Sequence, residues 1–572
     1  MSESANPCAR AIAAAVAELT GTPAGELKLQ APPRADVGDY ALGVFALAKA
    51  AGEPPPVVAA RLATSLATIP QVTSATATGP FVNLRVDRAW ATGVAIAAAM
   101  GEGGERLVPD VGAGQVVCID YSSPNISKHL AYHHIRSTML GHALVELHRE
   151  LGYRVVRINH LGDWGTTHGM LLAAHERWGG EYPQLDVSAL NDMYKRYRKA
   201  IEDDKALEGV ARAWFKRLEG GDQAARARWA EFRAVSLAEF DSIYQILGIE
   251  FDDTLGESFY EDKMGEIVDL LAAQGLTSES DGALVVQLEG EKTPLLIKTG
   301  DGTTLYATRD LAAALYRWRT YHFARSLYVV DRGQALHFRQ LFAALALMGY
   351  DWAARCQHVP FGLVRFGGKK AATRDGALLL KEVFAEAAER VRTLLRETDP
   401  DRDPATNDDA VVGQVGVGAV VFANVLPQRD KDVDFDWDKA LSLSGDSGPY
   451  LHYTHARCSA IARKAGGWPA AAADLALLTH DAEWAVVKRL LDFGEHVVRA
   501  ATACEPHVVA HYLLDLASDF SRWYTLGNGD RDLRIVCDDP ALRAARLTLV
   551  RAVQRTLARG LAMLGLQAPD AM

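Results

Sequence analysis

Long apolar runs are missing from this sequence. Nowhere do about twenty apolar residues follow one another, as a membrane-spanning helix requires. The Ala-rich start from Ala11 to Ala17 lacks the flanks of a signal peptide. Both absences lead us to expect a soluble, cytoplasmic protein with no membrane partner. Paired cysteines are missing as well: Cys8, Cys118, Cys356, Cys458, Cys504 and Cys537 lie far apart without a CxxC pair. That excludes a disulfide framework or zinc knuckle and predicts reduced, mostly buried thiols. Positive charge is not in excess, since the formal net charge is −11. Coating of nucleic acid by bulk charge is therefore excluded, whereas a local basic stripe stays compatible with phosphate binding. There is also no internal repeat, and low complexity is confined to Ala-rich patches such as Pro469 to Ala473, which read as loops or helix ends.

What is present is a 572-residue chain, 49% hydrophobic, too long to be built around a single core. The first hundred or so residues alternate helical stretches with short β-like runs such as Phe81 to Val86, which predicts a small α+β domain. A short β-branched strand, Gln115 to Ile119, is followed by the turn Ser122-Ser123-Pro124-Asn125 and a helical pattern reaching Leu151. A second strand runs from Tyr153 to Ile158. This βαβ unit opens a doubly wound, Rossmann-type parallel sheet, whose ligands sit at the C-terminal edge of the strands. Charged, helix-favouring sequence from about 176 to 295 predicts an insertion, with later strands expected around Leu295 to Tyr306 and Ser326 to Val330. Beyond the Asp- and Pro-rich stretch Thr398 to Asp409, amphipathic periodicity predicts an all-helical bundle. The expected division is 1–108, 109–405 with the insertion, and 406–572.

Several segments could carry chemistry. The Ser122 to Asn125 turn sets hydroxyls and an amide before a helix start, suited either to an anionic ligand or to plain N-capping. His129 and His133 are four apart, a spacing that zinc uses, but no third ligand is evident and no metal site is expected. The glycines of Asn159-His160-Leu161-Gly162-Asp163-Trp164-Gly165 suit close approach to a ligand or simply a tight βα turn. Tyr306 and Asp310, one helical turn apart, offer a phenol and a carboxylate to one cation, or a surface bridge to Arg309. The basic loop from Gly367 through Lys370 to Gly376 suits a polyphosphate or solvent. Arg546, Arg551, Arg555 and Arg559 make a stripe that fits an RNA backbone or a solvated helix face.

In order along the chain, DYSSPNISK from Asp120, INHLGDWGTTHGM, LYATRDLAA, GKKAATRDG and GPYLHYTHAR from Gly448 resemble class I arginyl-tRNA synthetases. Gly38-Asp39-Tyr40 and Gly79-Pro80-Phe81-Val82-Asn83 resemble the family's N-terminal tRNA-binding domain, and Leu564 to Met572 its C-terminus. The resemblance implies a C-terminal anticodon-binding bundle and ATP-dependent ligation of L-arginine to tRNA(Arg) through an arginyl-adenylate. ATP with Mg²⁺ would enter as a substrate complex, and a monomer is expected. Asp120, Ser123 and Asn125 would hold the α-amino and carboxylate end of arginine, and Tyr306, Asp310 and Gln334 its guanidinium. Lys128, His134, Gly162, Asp163, Lys370 and Thr373 would meet ATP, with Lys128, His134 and Lys370 carrying catalysis.

One signature departs from the pattern. Where the family has His, an apolar residue, Gly and His, this chain has Ala131, Tyr132, His133 and His134. Ala131 cannot donate to a phosphate, and His133 adds a ring where bare backbone is expected. The departure motivates two alternatives, a paralogue that activates arginine for a non-tRNA acceptor and a catalytically inactive arginine- or tRNA-binding protein.

Overall fold

In the computed structural model the residues described are 4–34, 36–101, 106–300, 306–367, 369–370, 378–398 and 409–572, without the side chains of 369, 370 and 398. They divide into two units: 1–111 with 402–418 and 439–572, and 112–401 with 419–438.

The first unit begins with helix α1 (Pro7–Thr20), whose start is capped by the Asn6 side chain accepting the Ala9 N–H. Strands β1 (Leu29–Gln30) and β2 (Tyr40–Gly43) lead through helices α2 (Phe45–Ala51) and α3 (Pro55–Leu66) to β3 (Val72–Thr78), β4 (Phe81–Val86) and helix α4 (Arg88–Met100). The strands form an antiparallel sheet in the order β1-β2-β4-β3, giving the α+β domain expected from the alternation of patterns.

The second unit opens with β5 (Val116–Asp120), α5 (His134–Glu150) and β6 (Arg154–Ile158). Helices α6 (Thr166–Trp178), α7 (Val187–Asp203), α8 (Ala206–Glu219) and α9 (Gln223–Leu247) follow, packed around a core that includes Trp164, Leu190, Tyr197, Phe215 and Phe232. Next come α10 (Met264–Ala273) and an antiparallel sheet of β7 (Thr277–Ser280), β8 (Ala283–Val286) and β9 (Leu295–Lys298). Helix α11 (Tyr306–Tyr321), β10 (Arg325–Tyr328), α12 (Ala335–Leu347) and β11 (Cys356–His358) complete a parallel sheet in the order β11-β10-β5-β6. The doubly wound expectation holds, with two corrections. Leu295 to Tyr306 is not one strand of that sheet: β9 pairs with β8 instead, and Tyr306 already begins a helix. The helix after β5 starts at His134 rather than just past Asn125, because residues 130–132 are drawn into backbone pairing with 378–380.

Strands β12 (Val364–Phe366) and β13 (Lys369–Lys370) precede helices α13 (Leu380–Thr398) and α14 (Asp409–Val425), and β14 (Val433–Phe435) pairs in parallel with β12. After α15 (Trp437–Ala440), the first unit resumes with α16 (Gly448–Lys464), α17 (Asp481–Leu491), α18 (Phe493–Ala503), α19 (His507–Gly529) and α20 (Pro540–Met563), the expected bundle. Within this unit α4 packs on α17 and α20, and the Trp484 indole N–H donates to Asp39 at 3.3 Å. The arginine stripe of α20 is not a free basic face. Arg546 is buried and its Nε donates to the equally buried Glu483 at 2.7 Å, while Arg555 caps the Met100 carbonyl at 2.9 Å. Five cysteines are buried, Cys537 is partly exposed, and none is bonded to another. Among the described residues no helix is long and apolar enough to cross a membrane.

Candidate active site

Strand β5 lies between β6, which follows it in the chain, and β10, so the sheet's connections leave β5 in opposite directions and open a crevice at its C-terminal end. Asp120 closes β5 at that edge. The next residues turn sharply: Ser122 (φ 67°) and Ser123 (φ 48°) both take the left-handed conformation, costly for side chains of their kind. Tertiary bonds hold them there. The Ser122 N–H donates to Ser137 Oγ at 3.1 Å, and its hydroxyl bonds Thr138 at 2.9 Å and the Tyr244 phenol of α9 at 2.8 Å. The Ser123 N–H donates to Asn159 Oδ1 at 3.1 Å. Asn125, exposed, bridges to Gly162, and a Cβ at Gly162 would overlap the Asn125 side-chain amide and displace it.

A chain of ionisable side chains crosses this edge. Arg317 of α11, fully buried, donates to Asp120 Oδ2 at 2.7 Å and lies 3.5 Å from His160 Nδ1. His160 Nε2 is 3.8 Å from Asp310 Oδ1, and His337 Nε2 is 2.6 Å from Asp310 Oδ2. Burial pushes the Asp310 carboxyl up, but the His337 bond, with His160 and Arg317, outweighs it and holds the group below the usual carboxylate range. Burial also pushes the His160 imidazole down. The structure thus brings Asp120, Ser123 and Asp310 into one connected edge. Gln334, exposed, directly precedes α12, which carries His337, and exposed Tyr306 opens α11 one turn before Asp310.

Rather than bridging Asp310, the Arg309 guanidinium lies 5.8 Å from the Tyr306 ring centre. It donates to Glu257 at 2.8 Å, and burial, opposed by Arg309 and reinforced by Asp310 and Asp163, pushes the Glu257 carboxyl up to about 7. Arg317, His337 and Glu257 lie outside the residues that sequence reasoning singles out. Arg317 had one available signal, its place two turns beyond Asp310 on the same helical face.

Two predicted ligands are committed inside the fold. Both oxygens of Asp120 are occupied, one by Arg317 and the other by the Ser123 hydroxyl at 2.8 Å. Asp163 is fully buried and accepts from the Ser258 N–H at 2.9 Å, the Ser258 hydroxyl at 2.9 Å and Arg233 Nε at 3.1 Å. A carboxylate so deeply buried has to be paired, and these pairings tie the 159–165 loop to α9 and to the segment that carries Ser258.

The altered signature lies between the sheet and two distant segments. Ala131 is buried and bridges antiparallel to Leu379, while the Tyr132 N–H donates to the Leu378 carbonyl at 2.8 Å and the Leu380 N–H to Leu130 at 2.9 Å. Tyr132 fills an aromatic pocket against Phe366 and Phe435, and its phenol accepts from Asn424 at 3.0 Å. His134 Nδ1 accepts the Ala131 N–H at 3.0 Å, and burial, with His133 and Lys128 nearby, pushes its imidazole down to about 3 against the Ala131 carbonyl. It is therefore neutral, with Nδ1 also 3.1 Å from the Ala131 carbonyl oxygen. The His133 ring lies 4.0 Å from that of His134, and its Nδ1 is buried without a partner among the described residues. Lys128 is exposed, its ammonium 5.8 Å from the Tyr194 ring centre. The side chain of Lys370 and all of Thr373 lie outside the described residues. His129 and His133 precede α5 and share no helical face, and no cluster of three or more His, Cys, Asp or Glu able to hold a metal occurs among the described residues.

Comparison with known proteins agrees along the whole chain. The family model described as the catalytic domain of class I (R) tRNA synthetases matches residues 97–437, the DALR anticodon binding domain 451–572, and the arginyl tRNA synthetase N terminal domain 7–86. The arginine–tRNA ligase of Clostridioides difficile is 39% identical over 551 residues, 96% of each chain, and that of Streptococcus thermophilus 41% identical over 550 residues, 95% of each. The arginyl-tRNA synthetase of Thermus thermophilus superposes with a TM-score of 0.82 at 28% identity, covering 99% of this chain and all of the other. The enzyme of Plasmodium falciparum, at 22% identity and a TM-score of 0.79, shares the fold. With its catalytic, N-terminal and anticodon-binding domains all matched, this chain belongs to the class I arginyl-tRNA synthetases.

Proposed function

We propose that this chain ligates L-arginine to tRNA(Arg), taking ATP as its magnesium complex and working as a cytoplasmic monomer. Asp310 carries the reading: a carboxylate kept ionised at the sheet's C-terminal edge between His160 and His337 is the complement of a planar cation. Tyr306, one turn before that carboxylate, and Gln334, directly before the helix that carries His337, supply neutral acceptors for the remaining guanidinium N–H groups. A lysine ammonium would leave those acceptors unpaired. Ser123 and Asn125 take the α-amino and carboxylate end, with Asp120 holding Ser123 and Arg317 in place.

In the first step an oxygen of the arginine carboxylate attacks the α-phosphorus of ATP, the bond to the β-phosphate bridging oxygen breaks, and pyrophosphate leaves. In the second a hydroxyl of the terminal adenosine of tRNA attacks the adenylate carbonyl and AMP leaves. Lys128, Lys370 and Thr373 bear on the phosphates, Gly162 keeps the loop floor bare, and neutral His134 opens α5 as a further polar partner for ATP. The division of labour assigns tRNA binding to residues 1–108, catalysis to residues 109–405 with their insertion at 176–295, and the anticodon to residues 406–572.

Arginine-dependent exchange of pyrophosphate into ATP, run with and without tRNA, is the test. We expect exchange and tRNA charging, and exchange under no condition would overturn the reading. Exchange without charging would instead favour a non-tRNA acceptor, the alternative that Ala131 and His133 motivate.

A further inference from the structure

The stretch between the Ser122–Asn125 turn and α5 has little regular structure of its own, and it is fastened from two sides. On one side residues 130–132 pair with 378–380. On the other, helices of the insertion reach it: the Ser127 N–H donates to Ser236 Oγ of α9 at 2.9 Å, His129 Nδ1 lies 2.5 Å from Glu239 Oε1 of α9, and His129 Nε2 lies 3.1 Å from Ser188 Oγ of α7. Ser127 itself is left-handed, with φ 64°, so the path of the chain here is imposed by partners rather than by local preference.

We propose that His129 is a positioning residue for ATP: by spanning Glu239 and Ser188 it latches the 126–133 segment, which carries Lys128 and leads into His134, to helices α7 and α9. The inference rests on the assignment of Lys128 and His134 to the nucleotide. His129 touches no substrate in this scheme. It acts through its neighbours, fixing where the ammonium of Lys128 projects and where α5 begins.

The latch is strongest when both ring nitrogens carry protons, since each then donates, one of them to a carboxylate. The groups facing the ring are Glu239 from α9, Asp186 at the start of α7, Glu382 from α13 and Lys128 beside it in the chain. The Glu239 bond raises the imidazole above its ordinary range against burial, with further help from the charges of Glu239, Asp186 and Glu382. A raised folded value means that the charged latch is complete below the ordinary imidazole range and is lost as pH rises through the folded value. The neutral ring keeps an N–H on Glu239 and accepts from Ser188, but the charge assistance is gone.

The full-length enzyme should therefore be assayed by pyrophosphate exchange from about pH 6 to about pH 9, as wild type, Glu239→Gln and His129→Gln. Amide hydrogen exchange over 126–133 is followed in parallel at matched pH. We expect the wild-type KM for ATP to climb about three- to tenfold across that range, while both variants start near the high value and stay flat. The KM for arginine should hold within about twofold throughout, and the 126–133 amides should exchange faster in the variants at low pH. A wild-type profile in Glu239→Gln would overturn the proposal, as would unaltered amide exchange, which disposes of the latch itself. Faster exchange with an unmoved ATP KM would overturn the nucleotide assignment of the segment, and the inference with it.

Discussion

At the scale of single residues the site is decided by what each carboxylate is already doing. Asp120 and Asp163 are spent inside the fold, on Arg317 and Ser123 and on Ser258 and Arg233, whereas the ion-pair partners of Asp310 among the described residues are two histidines, His160 and His337. Replacing Asp310 with Asn removes the negative charge while keeping shape and acceptor. We expect the KM for arginine in pyrophosphate exchange to rise about a hundredfold, roughly 3 kcal/mol, with the KM for ATP little changed. An equal loss for both substrates would mean that Asp310 supports the fold rather than the guanidinium. The motifs themselves point to all three carboxylates. Which of them is free was not legible, because Arg317, Arg233 and Ser258 reach them from distant stretches of the chain, and no local pattern in the sequence records those meetings.

At the scale of elements, β5 was legible because burial on both faces of a parallel strand leaves a continuous apolar run, while β6, at the sheet's edge, shows only Val155, Val156 and Ile158 among arginines. The stretch between β5 and α5 was not. Its residues fit a helical pattern, yet Leu130 to Tyr132 are claimed by 378–380 and Ser127 by α9, and tertiary pairing outweighs local preference. For a similar reason Leu295 to Tyr306 departs from expectation, since the strand half belongs to a small antiparallel sheet and Tyr306 to a helix. The element-level prediction concerns the two turns at the sheet edge. In Gly162→Ala the added methyl would overlap the Asn125 side-chain amide, so the amide proposed to hold the α-amino and carboxylate end of arginine must swing away. We expect kcat/KM for arginine to fall at least about tenfold while the melting temperature shifts by only a few degrees, about 1 kcal/mol of stability. A large loss of melting temperature with intact activity per folded molecule would contradict this.

For the whole molecule, the order of domains followed from composition and motif order, but the α20 arginine stripe did not reveal its inner face, since periodicity alone does not say which side of a helix is buried. Arg546, bonded to Glu483 at 2.7 Å and to the Arg534 carbonyl at 2.9 Å, belongs to the core of the first unit. Arg546→Met leaves the buried Glu483 carboxylate with only the His480 N–H as partner, at a cost of about 3–5 kcal/mol, whereas the double change with Glu483→Met recovers part of it, less the capping bond at the start of α17. Chemical denaturation of the two variants checks this: similar midpoints for both would refute the buried-pair account. The antiparallel lacing of 130–132 to 378–380 also bears on biosynthesis. A ribosome delivers the strands of the parallel sheet before it delivers residues 378–380, so the stretch between the Ser122–Asn125 turn and α5 gains this fastening only after β11 has been made.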